Sequence, residues 1–173
     1  MEIKIRKALL SDLYNLAVLK QQVWISTYAT DGLNDEFSRY VLSEYSVESV
    51  KKSIESTHSL TLVAIYNDNL VGCVEILLSP KSPTDNVEPC IEITTLYILE
   101  KFQSRGIGKK LLDESMKVIK GLNHQKIWLS VYYGNEKAID FYKRQNFSHI
   151  GEIDFQLGEE KYKNYLMIRT IEE

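Results

Sequence analysis

A strand that runs into a glycine-bearing turn and then into an amphipathic helix constrains this chain more than any other stretch of it. Residues 90–119 read CIEITTLYILEKFQSRGIGKKLLDESMKVI. Ile91, Ile93, Leu96 and Ile98 form a strand-like run rich in β-branched residues. Ile107, Leu111, Leu112, Ser115, Met116 and Ile119 recur at helical spacing. Between them lies Gln103-Ser104-Arg105-Gly106-Ile107-Gly108-Lys109, a turn that becomes the first turn of the helix. The start of a helix exposes backbone N–H groups with no internal partner and carries the positive end of the macrodipole. Glycine lets a ligand approach that backbone with no Cβ in the way. Strand, turn and helix together make an anion cradle whose commonest guest is pyrophosphate. Taken alone, two glycines at a helix start also read as plain turn chemistry. The spacing excludes a P-loop, which needs GxxxxGK[ST], and a dinucleotide fingerprint, which needs GxGxxG.

The 173 residues suffice for one domain with a full core, 1–173, and are short for two. A net charge of −3, with Lys and Arg scattered among Asp and Glu, lacks the basic stripe of a nucleic-acid surface and is compatible with a cationic substrate. No apolar run approaches the roughly 18 residues of a membrane span, and MEIKIRKALL lacks the apolar core and cleavage site of a signal peptide. Cys73 and Cys90 have no metal-ligand spacing and sit in apolar strand-like runs, which predicts buried free thiols, no metal, and a reducing cytoplasmic setting. Several of the 11 tyrosines fall where loops are expected and a ligand could stack on them.

Alternation predicts a first strand over Glu2–Lys7. Ser11 is a candidate cap for a helix carrying Leu13, Leu16, Ala17, Lys20, Val23, Trp24 and Thr27, which Asp31-Gly32 breaks. Helical stretches over Asp35–Leu42 and, capped by Ser46, Val47–Glu55 follow. Ser59–Tyr66 and Leu70–Leu78 read as an antiparallel pair turned by Asn67-Asp68-Asn69, with Gly72 marking a bulge or a close backbone neighbour. Ser79–Pro89, with its three prolines, reads as a surface loop. After the central helix, stopped by Gly121 and Asn123, come a strand over Lys126–Tyr132 and a short helix that Asn135 can cap. Strands near Phe147–Phe155 and Tyr162–Thr170 end the chain.

The segment Ile127–Phe147 carries the more specific motif. It fits a strand followed by N-x-x-A-x-x-F-Y-x-x-x-G-F through Asn135, Ala138, Phe141, Tyr142 and Phe147, with Asn146 where glycine is usual. Asn is the non-glycine residue that best tolerates a left-handed helix end. This segment and the turn, Q/R-x-x-G-x-G/A directly after a strand, resemble the GNAT superfamily of N-acetyltransferases. The element order β–α–α–β–β–β–α–β–α–β–β resembles that family's along nearly the whole chain. The resemblance implies an α/β (α+β) fold: a mixed, mostly antiparallel central sheet of about seven strands, flanked by helices and splayed at the central strand.

It also implies acetyl-CoA as cosubstrate. The backbone of Leu96, Tyr97 and Ile98 would pair with the pantetheine arm, as an added strand does. Gln103, Ser104, Arg105, Gly106, Ile107, Gly108 and Lys109 would form the pyrophosphate turn, with the Arg105 side chain available to phosphate. Asn135 would contact the pantetheine or nucleotide end. The resemblance nominates Tyr142 as general acid, a phenol able to protonate a leaving thiolate. Without it, Tyr142 reads as a buried tyrosine with a backbone partner. Glu92, in an apolar central strand, is the candidate base, with a cross-strand Lys or Arg partner as the plain alternative. Trp24, Tyr28 and Glu44 fall where the family borders its acceptor site, and taken alone read as packing or surface residues. Thr94 and Thr95 depart from the acidic and basic residues often found there.

Within the family the chain is most similar to the bacterial spermidine/spermine N-acetyltransferase type, also through its tail LGEEKYKNYLMIRTI. A polyamine calls for carboxylates along a groove, and Glu44, Glu75, Glu88, Glu159 and Glu160 are candidates. The partner is thus a small-molecule amine, with no nucleic acid or membrane, and a homodimer stays open. Acetylation of a peptide N-terminus, an amino acid or an antibiotic is the alternative, as is a non-catalytic domain that senses acyl-CoA.

Overall fold

The computed structural model describes residues 2–84, 87–122 and 124–171. Asn123, expected to help stop the central helix, lies outside them. The first strand, β1 (Lys4–Lys7), leads through a 3-10 turn, Leu10–Asp12, into α1 (Leu13–Tyr28). Ser11 caps nothing, because the preceding turn already satisfies the helix entry. There the Asp12 carboxylate accepts the Leu9 N–H at 2.8 Å and both arms of the Arg6 guanidinium at 2.6 and 2.8 Å. The bonds from Arg6 hold the Asp12 carboxyl below its ordinary range.

Three helices intervene before the second strand, as the three helical stretches predict, one more than the family's element order counts: α1, α2 (Asp35–Glu44) and α3 (Val47–Glu55). Asn34 caps α2 by accepting the Phe37 N–H, and Ser46 caps α3 as expected. Strands β2 (Ser59–Tyr66), β3 (Asn69–Lys81) and β4 (Cys90–Ile98) form an antiparallel run, with β3 reaching three residues further than its sequence suggests. Then come α4 (Ile107–Lys120), β5 (Lys126–Tyr132), α5 (Glu136–Arg144), β6 (Ser148–Leu157) and β7 (Glu160–Thr170). Asn146 adopts φ 63°, the left-handed helix end its position demands. The strands make one seven-stranded sheet in the order β1-β2-β3-β4-β5-β7-β6, antiparallel except between β4 and β5.

Helices cover both faces. α4 and α5 lie on one, over a core that joins Ile107, Leu111, Leu112, Ile119 and Ile139 to Ile76, Ile91, Ile127, Leu129 and Met167. α1 and α3 cover the other face through Leu16, Leu19, Val23 and Val50 against Val63 and Cys73. α1 and α2 enclose a third cluster around Trp24, Phe37, Val41 and Tyr45. Both features expected of Gly72 are present. The β2–β3 register slips beside it, and a Cβ there would lie 2.6 Å from Ile98 Cδ1 and 2.9 Å from the Tyr97 carbonyl. Cys73 and Cys90 are free and buried, and burial pushes the Cys73 thiol up to about 12. Among the described residues no helix is long and apolar enough to cross a membrane.

An ion pair lies inside this packing. Lys20, on the apolar side of α1, forms an ion pair with Glu75 of β3, whose other oxygen accepts the Ser53 hydroxyl of α3 at 2.6 Å. The lysine side chain is 6% exposed, so the pair ties three elements together in a poorly hydrated place. Lys20→Ala leaves the Glu75 carboxylate buried without its cation. It is expected to lower the unfolding free energy by about 3–5 kcal/mol in urea titration, and Lys20→Met with Glu75→Leu to recover most of the loss.

Candidate functional site

β4 and β5 pair at Ile91↔Ile127 and Glu92↔Trp128 and part beyond, although β4 runs on to Ile98 and β5 to Tyr132. The Leu99 N–H donates to the Val71 carbonyl of β3 at 3.0 Å, which sets the parity of the β3–β4 ladder. Thr95 and Tyr97 turn their backbone groups toward β3, and Leu96 and Ile98 turn theirs into the gap toward β5. The Gln103 amide reaches the Ile98 carbonyl at 3.3 Å. Tyr97 therefore departs from its expected place with Leu96 and Ile98: its backbone belongs to β3, and its hydroxyl lies 3.2 Å from that of Tyr45.

The strand also changes face. Register slips between Glu75↔Thr95 and Ile76↔Ile93, so Thr94 is an extra residue, its hydroxyl 3.3 Å from the Glu75 carbonyl. The bulge lets Ile91 and Ile93 share the α4 side with Leu96 and Ile98, which unbroken alternation forbids.

At the far end of β4 the chain makes a 3-10 turn, Glu100–Phe102, and enters α4 through two left-handed residues, Ser104 at φ 59° and Gly106 at φ 77°. The first main-chain bond into the helix is Lys110 N–H to the Gly106 carbonyl, 3.1 Å. The N–H groups of Ile107, Gly108 and Lys109 thus precede the intrahelical ladder. A Cβ built on Gly106 meets nothing within 4 Å, so the space over the turn is open. Gly108 answers a different need: a Cβ there would lie 3.3 Å from the Phe141 ring of α5, so its smallness serves helix packing. The Arg105 guanidinium lies 5.5 Å from the Phe102 ring centre, and Lys109 pairs with Asp113 at 2.6 Å. Asn135 caps α5 by accepting the Ala138 N–H at 3.1 Å, which occupies its side-chain oxygen.

Tyr142 packs in the core on the α4–α5 side, against Phe141 and Phe147. Burial, with a further push from Tyr28, raises its pKa well above that of an ordinary phenol. Tyr28 belongs to α1, on the opposite face, and its ring centre lies 5.4 Å from that of Tyr132 on β5. Glu92 stands at the apex of the gap, in the last β4–β5 pair, on the face away from Ile91 and Ile93. Burial raises its carboxyl above the usual range, against a smaller opposing effect of Lys81.

The residues expected near an acceptor are divided. Trp24 is 3% exposed and forms the floor beneath Tyr28, Phe37 and Tyr40, at 4.8, 5.3 and 5.0 Å between ring centres. Tyr28 lies at the opening. Glu75 is committed to Lys20 and Ser53. Glu44 is exposed at the end of α2, and Glu88 and Glu159 are exposed on connections. Glu160 accepts the Tyr162 hydroxyl at 2.5 Å.

Sequence reasoning missed the size of the aromatic group. Tyr28, Tyr40, Tyr45, Tyr97, Tyr132 and Tyr162 come mainly from helices and strands, not from loops, and converge around the opening. Burial is the chief cause that pushes Tyr28 and Tyr40 up to about 12. Carboxylates lie around this group: Asp31 acts on Tyr132, Glu44 on Tyr40 and Tyr45, and Glu36 and Glu160 on Tyr162. The 11 tyrosines were the available signal, though composition does not say which of them meet.

A profile of the family described as Acetyltransferase (GNAT) family matches residues 27–147. The chain is 32% identical over 114 residues to the spermine/spermidine N(1)-acetyltransferase of Bacillus subtilis, covering 63% of this chain and 75% of that protein. It is 26% identical over 151 residues to the spermidine N(1)-acetyltransferase of Thermoplasma acidophilum, covering 85% and 89%. The crystal structure of the PaiA N-acetyltransferase of Thermoplasma acidophilum in complex with coenzyme A superimposes with a TM-score of 0.78 at 25% identity, covering 98% of this chain and 99% of that one.

Gly106→Glu sets a carboxylate over the open turn. It is expected to weaken coenzyme A binding roughly 10- to 100-fold in calorimetry, the worth of one or two charge-assisted hydrogen bonds. Arg105→Ala should cost less, and its cost should shrink as salt rises.

Proposed function

We propose, for a chain that belongs to the GNAT family of acetyl-CoA-dependent N-acetyltransferases, that its acceptor is a polyamine of the spermidine or spermine class, acetylated by direct attack. The observation that carries the reading is the mouth of the β4–β5 gap, aromatic inside and ringed by Asp31, Glu36, Glu44 and Glu160. Aromatic faces and carboxylates both favour an alkyl ammonium, and neither suits an anionic acceptor. The relatives named for spermidine and spermine acetylation support the same choice.

In this reading the pantetheine arm adds to the free edge of β4 through the backbone of Leu96 and Ile98. The pyrophosphate rests on the N–H groups at the start of α4, between Arg105 and Lys109. The thioester carbonyl then sits within the gap, where Tyr142 is reached from one face and Glu92 from the other. An ammonium cannot attack until it loses a proton, and Glu92, its pKa raised by burial, takes that proton directly or through a water. The amine forms the new N–C bond, the C–S bond breaks, and Tyr142 delivers its phenolic proton to the leaving thiolate; the second proton shed by the nitrogen restores the phenol through water, and Glu92 passes the first to solvent. Burial keeps Tyr142 protonated throughout the working range and also makes it a weaker acid than an ordinary phenol, so its proton passes uphill to the thiolate.

Acetyl-CoA consumption measured across spermidine, spermine, amino acids, aminoglycosides and short peptides tests the acceptor. Turnover should be greatest with the polyamines. A preference for peptides would overturn the polyamine reading, and silence with every amine would point to a domain that only binds acyl-CoA.

Two substitutions test the roles. Tyr142→Phe is expected to keep coenzyme A affinity while lowering kcat roughly 10²-fold or more, at every pH in the working range. Glu92→Gln should depress kcat/KM most below about pH 8, with a deficit that shrinks as pH climbs toward the amine's own pKa near 10. The sign follows from the proton: at higher pH the bulk solvent supplies free amine and the carboxylate is needed less. A deficit independent of pH would make Glu92 a structural residue.

A further inference from the structure

Asn164 lies in the middle of β7, is 7% exposed, and its Oδ1 has no hydrogen-bond partner among the described residues. A buried oxygen that can only accept, with nothing to accept from, is costly, and a leucine of similar size would avoid the cost. Its position tells what is missing. Register sets Asn164 opposite Tyr132 of β5 and Ile153 of β6, and strand alternation puts it on one face with Tyr162, two residues back. That is the face carrying the aromatic group: the Tyr132 ring centre is 6.3 Å from that of Tyr162 and 5.4 Å from that of Tyr28. Tyr28 in turn acts on Tyr142. The unpartnered amide therefore lies directly across from Tyr132 and on the face of Tyr162, beside the aromatic group.

We propose that Asn164 is an acceptor-binding residue, and that its side-chain oxygen accepts an N–H of an alkyl ammonium held against Tyr132 and Tyr162. The inference rests on the amine-acceptor reading above. The chemistry fits that ligand class alone: the oxygen needs a donor, the aromatic faces favour a cation, and Asp31, Glu36 and Glu160 repel anions. The basic neighbours on β7, Lys161 and Lys163, alternate to the other face, where Lys163 pairs with Glu152 at 2.8 Å. Asn164 thus fixes which amines are accepted, by supplying an uncharged hydrogen-bond acceptor where the rim supplies only charge.

Steady-state kinetics with spermidine, paired with thermal unfolding, test this. Asn164→Leu is expected to raise the KM for spermidine about 10- to 100-fold. Its Tm should equal or exceed that of the wild type, because the unpartnered oxygen is gone, and calorimetry should find its affinity for coenzyme A retained. Asn164→Asp keeps the shape and adds a charge, so it should lower the KM for spermidine and steepen its dependence on salt. A residue that merely supports the sheet gives the opposite pattern: a lower Tm with the spermidine KM within about twofold of wild type, and that result overturns the proposal. If the leucine variant fails to fold, an unchanged spermidine KM in Asn164→Asp overturns it equally. Should the wild-type enzyme prefer a peptide amine, the same comparison is made with that peptide, whose α-ammonium offers the same N–H. Wild-type turnover with spermidine and unchanged KM values in both variants sinks this inference alone; no turnover with any amine sinks it together with the acceptor reading.

Discussion

Two parallel strands that begin as partners bond evenly along their length unless something forces them apart. Here β4 and β5 bond through Glu92 and Trp128 and then separate, and the separation leaves main-chain groups of Leu96 and Ile98 without a strand to bond. Such groups need a partner: the Gln103 amide serves the Ile98 carbonyl, and an extended chain laid along the edge would suit the others. The Thr94 bulge turns β4 where this happens and keeps its apolar side chains on the α4 face after alternation has been broken. One extra residue thus reconciles a continuous core with an interrupted ladder.

The opening joins two layers of different electrical character. Below the sheet, α5 contributes Tyr142 from an apolar cluster. Above it, α1 and α2 contribute tyrosines that burial keeps protonated. The inside of the site is lined by neutral hydroxyls, and formal charge is confined to the rim and to Glu92 at the apex. In a poorly hydrated space, fixed dipoles can steady a charge that forms and vanishes during reaction without the desolvation cost of permanent ions. The buried Lys20–Glu75 pair fits this pattern, since the two neutralise each other beneath the aromatic layer.

Parts of this arrangement can be read in the chain because they are local. The turn at Gly106, the cap at Asn135 and the left-handed Asn146 each depend on residues within one turn of themselves. The motif from Asn135 to Phe147 likewise spans a single strand–helix connection. Other parts are set by partners distant in sequence. Whether Glu75 faces a ligand depends on Lys20, 55 positions away and itself on the apolar side of α1. The bulge at Thr94 exists only relative to β3, and the tyrosines converge from five elements and one helix cap. Asn164 is one more polar residue in an alternating strand, and only its register partners on β5 and β6 give it a place. Ser11 shows the converse: a plausible local cap displaced by Arg6 and Asp12.

The contact between Gly108 and Phe141 joins the start of α4 to the residue just before Tyr142. With 3.3 Å between a Cβ at position 108 and the ring, the two sites share one volume. Across relatives of this protein, positions 108 and 141 should covary in size: a larger side chain at one is compatible with the fold only where the other shrinks. An engineer who enlarges position 108 will press on the Phe141 ring and, through it, on the Tyr142 ring packed beside it. The packing at the start of α4 and the placement of Tyr142 are inherited together.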